Sequence, residues 1–129
     1  MLTPDISQTM RRAIKDRNFL RVIDLIKKGE DVDGILNHSL LWTTLLWASH
    51  TGEVDIVKVF IDHGANIEIT DLEGNTPLIL SVINGHTEVV KFLLSKGANR
   101  EHTTRSGWTA LEFAVSAKNQ EIISIISKK

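Results

Sequence analysis

The chain has 129 residues, 42% hydrophobic and 24% charged, which fits one globular domain and excludes an intrinsically disordered chain. Fifteen basic residues balance sixteen acidic ones, for a formal charge of -1, which argues against a protein built to bind nucleic acid or a membrane surface. The absence of cysteine excludes a disulfide framework, a cysteine-based zinc site and a thiol nucleophile.

The sequence carries no recognisable targeting or membrane-spanning segment. Residues 1–8 contain neither a basic region nor an apolar run. The most apolar stretch, 40–48, is interrupted by Thr43 and Thr44 and is far shorter than the roughly 20 residues of a transmembrane helix. We therefore expect a soluble intracellular protein located in the cytoplasm.

The sequence repeats with a period of 33 residues. Residues 38–70 and 71–103 share ten identical positions out of 33, whereas random pairing would give about two. In chain order, the pattern predicts four pairs of helices, and the second helix is the longer one in the last three pairs. The first helices are predicted at 5–16, 43–51, 76–84 and 109–117, and the second helices at 19–28, 53–63, 86–96 and 119–128.

The glycines mark the boundaries of these helices, since seven of the eight occupy three repeat-equivalent positions. Gly64 and Gly97 each follow a second helix, where the chain enters the left-handed conformation that glycine adopts without steric penalty. Thr76 is the predicted N-cap of the third first helix, and Pro77 suits the first turn of that helix.

The segment Asp71–Leu78, followed by Gly85–Leu94 and Gly97–Asn99, resembles an ankyrin repeat. This resemblance implies an all-α fold, namely a helical-repeat solenoid of four helix-turn-helix repeats with short inter-repeat hairpin loops. It implies a single domain over 1–129. Its repeats lie at about 4–37, 38–70, 71–103 and 104–129.

The chain departs from the family pattern in two places. Ankyrin repeats usually carry histidine after Thr-Pro-Leu, and the corresponding residues here are Leu46, Ile79 and Glu112. We therefore expect the first helices to lack the hydrogen bonds of that histidine and to depend more on packing. Two extra residues fall near 34–37, where we expect an irregular loop.

No pattern of catalytic or metal-binding residues is present. The five histidines do not follow a metal-ligand spacing, and His86, next to a glycine, is better explained as a capping residue. The sequence contains no nucleophile elbow, phosphate loop or dinucleotide fingerprint. We therefore expect no enzyme activity, no catalytic residues, no cofactor and no metal.

The resemblance implies a non-catalytic protein–protein interaction module that binds a partner protein through its concave face and loop tips. The variable positions of the family correspond to the following candidate partner-binding residues: Ser39, Leu40, Trp42, His50, Thr51, Leu72, Glu73, Asn75, Ile83, Asn84, Arg105, Ser106, Trp108, Ser116 and Ala117. Two kinds of function stay open. The chain is either an adaptor or a stoichiometric inhibitor, such as an immunity-type protein that blocks an enzyme or a toxin.

The tryptophans are the most informative candidate contacts. Trp42 and Trp108 occupy the same repeat position, with Asn75 between them. Tryptophan is enriched at binding hot spots, although each ring could equally cover a neighbouring loop. Trp47 aligns with Leu80 and is expected to pack between the first helices.

The last helix of the chain is unusually apolar. Four of its residues align with positions that are buried between two neighbours in the third repeat: Ile122, Ile123, Ile125 and Ile126. With a neighbour on one side only, this helix either leaves isoleucine surface exposed or tucks it against the first helix of its own repeat. We expect a monomer, or a weak homodimer formed through this C-terminal edge.

Overall fold

The computed structural model describes residues 12–13, 15–16, 18–27 and 44–128. These residues form seven α-helices and no β-strand. The helices are α1 (Phe19–Lys27), α2 (Thr44–Thr51), α3 (Val54–Asp62), α4 (Pro77–Ile83), α5 (Thr87–Ser95), α6 (Ala110–Ser116) and α7 (Gln120–Ser127). The predicted bounds of all seven are confirmed to within one residue at each end. The helix predicted at 5–16 and the loop near 34–37 lie mostly or wholly outside the described residues.

Local sequence explains where α4 and α6 begin. The Thr76 side chain accepts a hydrogen bond from the backbone N–H of Ile79 at 3.2 Å, with Pro77 in the first turn. In the fourth repeat, Thr109 accepts from the N–H of Glu112 at 3.2 Å, while the Glu112 carboxylate accepts from the N–H of Thr109 at 3.3 Å. This reciprocal pair is a capping box. Glu112, which replaces the usual histidine, therefore helps α6 to begin.

The turn between the two helices of a repeat requires a left-handed residue. Gly52 and Gly85 have φ values of 82° and 73° there, and Lys118 adopts φ of 58° at the same position of the fourth repeat. A lysine pays a steric penalty for this conformation that glycine avoids. The shape of the turn is therefore imposed by the repeat and does not depend on glycine.

The helices stack in two layers. The inner helices α2, α4 and α6 pack in that order, α3, α5 and α7 pack beside them as the outer layer, and α1 packs against α3. The side chains that fill the space between the layers include Leu45, Ile56, Phe60, Leu78, Val82, Val90, Leu93, Ala114 and Ile122. Each repeat thus buries its apolar side chains against its neighbours, as in other helical-repeat proteins. Trp47 is partly buried against this core, as predicted.

Of the two alternatives for the C-terminal edge, the structure supports the one in which the isoleucines are tucked against the chain's own helices. Ile122 and Ile126 are buried, and the other two isoleucines of α7 are half-buried against the core. The exposed large apolar side chains of this repeat are Val115 and Leu111, on α6, and Trp108, on the hairpin before it. The reason is that α7 packs against both α5 and α6, whereas one face of α6 is covered by no inner helix of the described chain.

Candidate protein-binding surface

The loop before α4 is a tight hairpin organised by one carboxylate. Asp71 Oδ1 accepts hydrogen bonds from the backbone N–H groups of Glu73 and Asn75, both at 2.9 Å. Its Oδ2 accepts from the side-chain Nδ2 of Asn75 at 3.1 Å, and the Asp71 N–H donates to the Asn75 carbonyl at 3.1 Å. These four bonds hold the loop in one conformation before any ligand arrives, which lowers the entropic cost of binding.

The same hairpin is fastened to the fourth repeat. The backbone N–H of Arg105 donates to the Glu73 carbonyl at 3.0 Å, and its guanidinium donates to the Leu72 carbonyl at 3.2 Å. His102 Nε2 donates to the Gly74 carbonyl at 2.9 Å. A side chain at Gly74 would place Cβ 3.0 Å from the Arg105 nitrogen, so this position needs glycine for close approach as well as for its φ of 81°.

An open groove of about 380 Å³ lies beside this hairpin and the inner helices. It is lined by His50, Asp71, Leu72, Glu73, Asn75, Leu80, Ile83 and Asn84. Leu72 is 62% exposed and Ile83 is 43% exposed, while Leu80 is buried. The groove therefore presents two large apolar side chains to solvent beside a buried one.

Hydrogen bonds between repeats hold the helical side of this groove. Asn84 Nδ2 donates to the Leu80 carbonyl at 2.8 Å and lies 3.2 Å from His50 Nδ1. His86 lies at the N-cap position of α5, but its side chain makes no capping hydrogen bond, so the prediction of a capping side chain was wrong. Its Nε2 instead donates to the His50 carbonyl of the preceding repeat at 2.9 Å. The last turn of α2 is therefore joined to the end of α4 and to the residue that precedes α5.

Most of the predicted contact residues of the second and third repeats converge on this groove. Six of them line it: His50, Leu72, Glu73, Asn75, Ile83 and Asn84. Asn75 is buried, and its amide donates to Asp71, so it shapes the hairpin and offers little surface. Thr51 is half-buried and its hydroxyl donates to the Trp47 carbonyl at 3.0 Å.

The predicted contact residues of the fourth repeat are all exposed and lie outside the groove lining. They are Arg105, Ser106, Trp108, Ser116 and Ala117. The Trp108 ring lies 5.1 Å from the Phe113 ring, centroid to centroid, at an interplanar angle of 42°. Trp108 is therefore positioned by an aromatic neighbour while part of its ring faces solvent. Ser39, Leu40 and Trp42 lie outside the described residues.

Two residues of the groove were missed by the sequence reasoning. Asp71 was detectable, because an aspartate four residues before Asn75 and two before Glu73 is typical of a loop that folds onto its own backbone N–H groups. Leu80 carried no such signal, because an apolar residue in a helix gives no indication that it will form the base of a groove.

The described residues lack two other kinds of feature. In these parts of the chain, no group of three or more histidine, aspartate and glutamate side chains is arranged to hold a metal ion. None of the helices described is both long enough and apolar enough to cross a membrane.

Two stacked helical layers with a preorganised hairpin and an open groove define a helical-repeat binding scaffold. A family model that describes ankyrin repeats in three copies matches residues 10–104 and 64–129. The chain therefore belongs to the ankyrin-repeat family. Proteins of this family are generally non-catalytic, and their repeats generally mediate protein–protein interactions.

Curated relatives match through a small part of their length. The protein named ankyrin repeat, SAM and basic leucine zipper domain-containing protein 1 from Rhinolophus ferrumequinum is 36% identical over 77 residues, 60% of this chain and 15% of that protein. The same protein from Ovis aries is 34% identical over 72 residues, 56% of this chain and 14% of that protein. The 2-5A-dependent ribonuclease of Mus musculus is 33% identical over 72 residues, 56% of this chain and 10% of that protein.

Proposed function

We propose that the chain is a non-catalytic module that binds one partner protein through its concave face and loop tips, with the groove of the second and third repeats at the centre. The observation that carries this proposal is the pairing of two exposed apolar side chains, Leu72 and Ile83, with a hairpin already fixed by hydrogen bonds. Burying such a side chain fully contributes about 1.5–3 kcal/mol.

The fourth repeat extends this surface. Trp108 lies on the hairpin that follows the groove, and the two hairpins are joined through Arg105. A partner that covers the groove and Trp108 together would bury an aromatic side chain of the kind that dominates many interfaces. We place this activity in the cytoplasm, because a chain without cysteine suits a reducing compartment.

Site-specific cross-linking tests where the partner binds. A photo-reactive amino acid in place of Leu72 should cross-link a partner in native lysate, whereas the same amino acid in place of Leu20 should not. Leu20 is a suitable control because it is also highly exposed but lies on α1, which packs with the outer layer. Equal cross-linking from both positions, or cross-linking from Leu20 alone, would contradict the proposal.

Trp108→Ala should then weaken binding of the purified partner by at least about 2 kcal/mol, roughly a 30-fold increase in Kd. Isothermal titration calorimetry measures the affinity, and circular dichroism checks that helicity is unchanged. Leu20→Ala, which also shortens an exposed apolar side chain, should leave Kd unchanged within about twofold. An unaltered Kd for Trp108→Ala with unaltered helicity would remove Trp108 from the interface.

The same partner decides between an adaptor and an inhibitor. If the partner is an enzyme or a toxin and loses its activity at a one-to-one ratio, the chain acts as a stoichiometric inhibitor. If the partner keeps its activity, the chain acts as an adaptor. Analytical ultracentrifugation across a hundredfold concentration range tests the accompanying proposal that the chain is a monomer or forms a weak homodimer through its C-terminal edge, where Leu111 and Val115 are exposed.

A further inference from the structure

The described charged side chains of the groove are acidic. Among the described residues, its lining includes two carboxylates, Asp71 and Glu73, and no lysine or arginine. A described cation, Arg105, adjoins it, because its guanidinium donates to the Leu72 carbonyl. The described residues of the groove and its rim therefore include more carboxylates than lysine or arginine side chains.

The two carboxylates have different roles. Both oxygens of Asp71 accept hydrogen bonds from the hairpin, so this carboxylate is fixed and half-buried. Glu73 is exposed, and the hydrogen bonds described for it use its backbone N–H and its backbone carbonyl. The Glu73 carboxylate is therefore the group that can accept a charge-assisted hydrogen bond from a cation of a ligand.

Apolar surface lies directly beside this carboxylate. Leu72 precedes Glu73 in the chain, and Ile83 and Leu80 contribute apolar surface to the same groove. A ligand that fits both features carries an apolar side chain with a positive charge next to it. An acidic ligand would place like charges together, which disfavours binding.

We propose that this groove binds an extended segment of the partner protein in which a leucine, isoleucine or phenylalanine is adjacent to a lysine or arginine. The apolar side chain packs against Leu72 and Ile83, and the cation pairs with Glu73. This inference rests on the proposed function, because it names the chemistry of the partner at the same surface.

Selection from a phage-displayed library of random peptides tests this chemistry without knowledge of the partner. The full chain is the target, and peptides in which lysine or arginine adjoins leucine, isoleucine or phenylalanine should be enriched over the unselected library. Enrichment of acidic or uncharged peptides, or failure to enrich any peptide, would overturn the inference.

The selected peptide, labelled with a fluorophore, then locates the site by fluorescence anisotropy. Glu73→Lys should raise its Kd at least about tenfold, and Glu73→Gln several-fold, because one charge-assisted contact is reversed or lost. Glu101→Lys is the matched control, because Glu101 is also exposed on a loop but is absent from the groove lining. It should change Kd less than about twofold.

Two further measurements complete the test. Raising the salt concentration from about 50 mM to about 500 mM should weaken the wild-type complex more than the Glu73→Gln complex, because ions screen an exposed charge pair. Ile83→Ala should also weaken binding, at either salt concentration. Equal effects of Glu73→Lys and Glu101→Lys would show that only the overall charge matters and would overturn the inference.

The outcomes separate this inference from the proposed function. If a partner cross-links at position 72 but its affinity is unaffected by Glu73→Lys, the surface binds a protein and the proposed ligand chemistry is wrong. If no partner cross-links at position 72 in a lysate that contains partners for other positions, the proposed function itself fails, whatever peptides are selected.

Discussion

The third and fourth repeats contain inner helices of the same length that are buried to very different extents. Both α4 and α6 have seven residues and begin after a threonine whose side chain caps the helix. Leu78 and Val82 of α4 are 1% and 2% exposed, whereas the equivalent Leu111 and Val115 of α6 are 37% and 54% exposed. Helix α4 packs against both α2 and α6, while α6 has a described inner helix on one side only.

This difference shows that the formation of a helix and its contribution to the stability of the protein have separate origins in this fold. The caps and turns that define each helix involve residues a few positions apart in the chain. The burial that stabilises the helix depends on the neighbouring repeat, so equivalent residues contribute differently according to their position in the stack.

The hairpins of the two repeats also differ. Both hairpins share a backbone hydrogen bond, from the Asp71 N–H to the Asn75 carbonyl at 3.1 Å and from the Thr104 N–H to the Trp108 carbonyl at 2.9 Å. Their side chains differ, because the Asp71 carboxylate accepts from the Asn75 N–H at 2.9 Å, whereas the Thr104 hydroxyl accepts from the Trp108 N–H at 3.3 Å. The same loop shape is thus obtained with and without a charge. Its polarity can therefore vary between repeats and serve ligand recognition.

The different burial of α4 and α6 predicts the largest effect on the free energy of unfolding. Leu78→Ala should lower the free energy of unfolding by about 2–5 kcal/mol, because it leaves a cavity between stacked helices. Leu111→Ala should lower it by less than about 1.5 kcal/mol, because part of the removed surface is already in contact with water. Urea denaturation followed by far-ultraviolet circular dichroism measures both values.

Equal losses for the two variants would contradict the comparison and would mean that the exposed face of α6 is covered in solution. Repeating the denaturation at a tenfold lower protein concentration distinguishes self-association from a cover supplied by the chain itself, because only self-association depends on concentration.

The contact between Gly52 and the His86 ring of the next repeat predicts an effect of intermediate size on the free energy of unfolding. At Gly52, an added Cβ would lie 2.5 Å from Nδ1 of His86, whereas at the equivalent Gly85 it would lie 4.0 Å from Nδ2 of Asn119. Both glycines have positive φ, so alanine at either position costs about 1–2 kcal/mol for the left-handed conformation. Gly52→Ala should cost at least about 1 kcal/mol more than Gly85→Ala, because of overpacking.

The same denaturation experiment tests this difference. The His86 ring cannot move away without weakening its hydrogen bond to the His50 carbonyl, so the clash is not relieved cheaply. In a protein that already carries His86→Ala, Gly52→Ala should cost little more than Gly85→Ala does in the wild type, because the imidazole ring that it overpacks is absent. Equal costs at the two glycines would show that the His86 ring rearranges freely.

The smallest effect concerns the one described non-glycine residue with positive φ. Lys118→Gly should stabilise the protein by up to about 1 kcal/mol, because relief of the left-handed strain exceeds the entropy that glycine adds to the unfolded chain. Lys118→Ala is the control, because it removes the charge but keeps the strain. A stabilisation by alanine equal to that by glycine would assign the effect to the charge.

For the binding surface, as for the fold, features set by residues close in the chain could be predicted, whereas features set by the packing of different repeats could not. The variable positions of the family identified six of the eight described residues that line the groove, including Leu72 and Ile83. The loop conformation of Asp71 follows from residues within four positions, so it was accessible to sequence reasoning. The convergence of α2, α4 and the third-repeat hairpin on one groove was not, because it depends on how repeats 33 residues apart pack together.

The sequence by itself determined the 33-residue period, the bounds of the seven helices and the left-handed turns, because these depend on caps, glycines and apolar spacing over a few residues. Only the tertiary structure decided which of two equivalent residues is buried. Asn75 is buried and bonded to Asp71, while its counterpart Trp108 is exposed beside Phe113. Burial depends on the neighbours that a side chain meets in space, and those neighbours differ between the middle of the stack and its end.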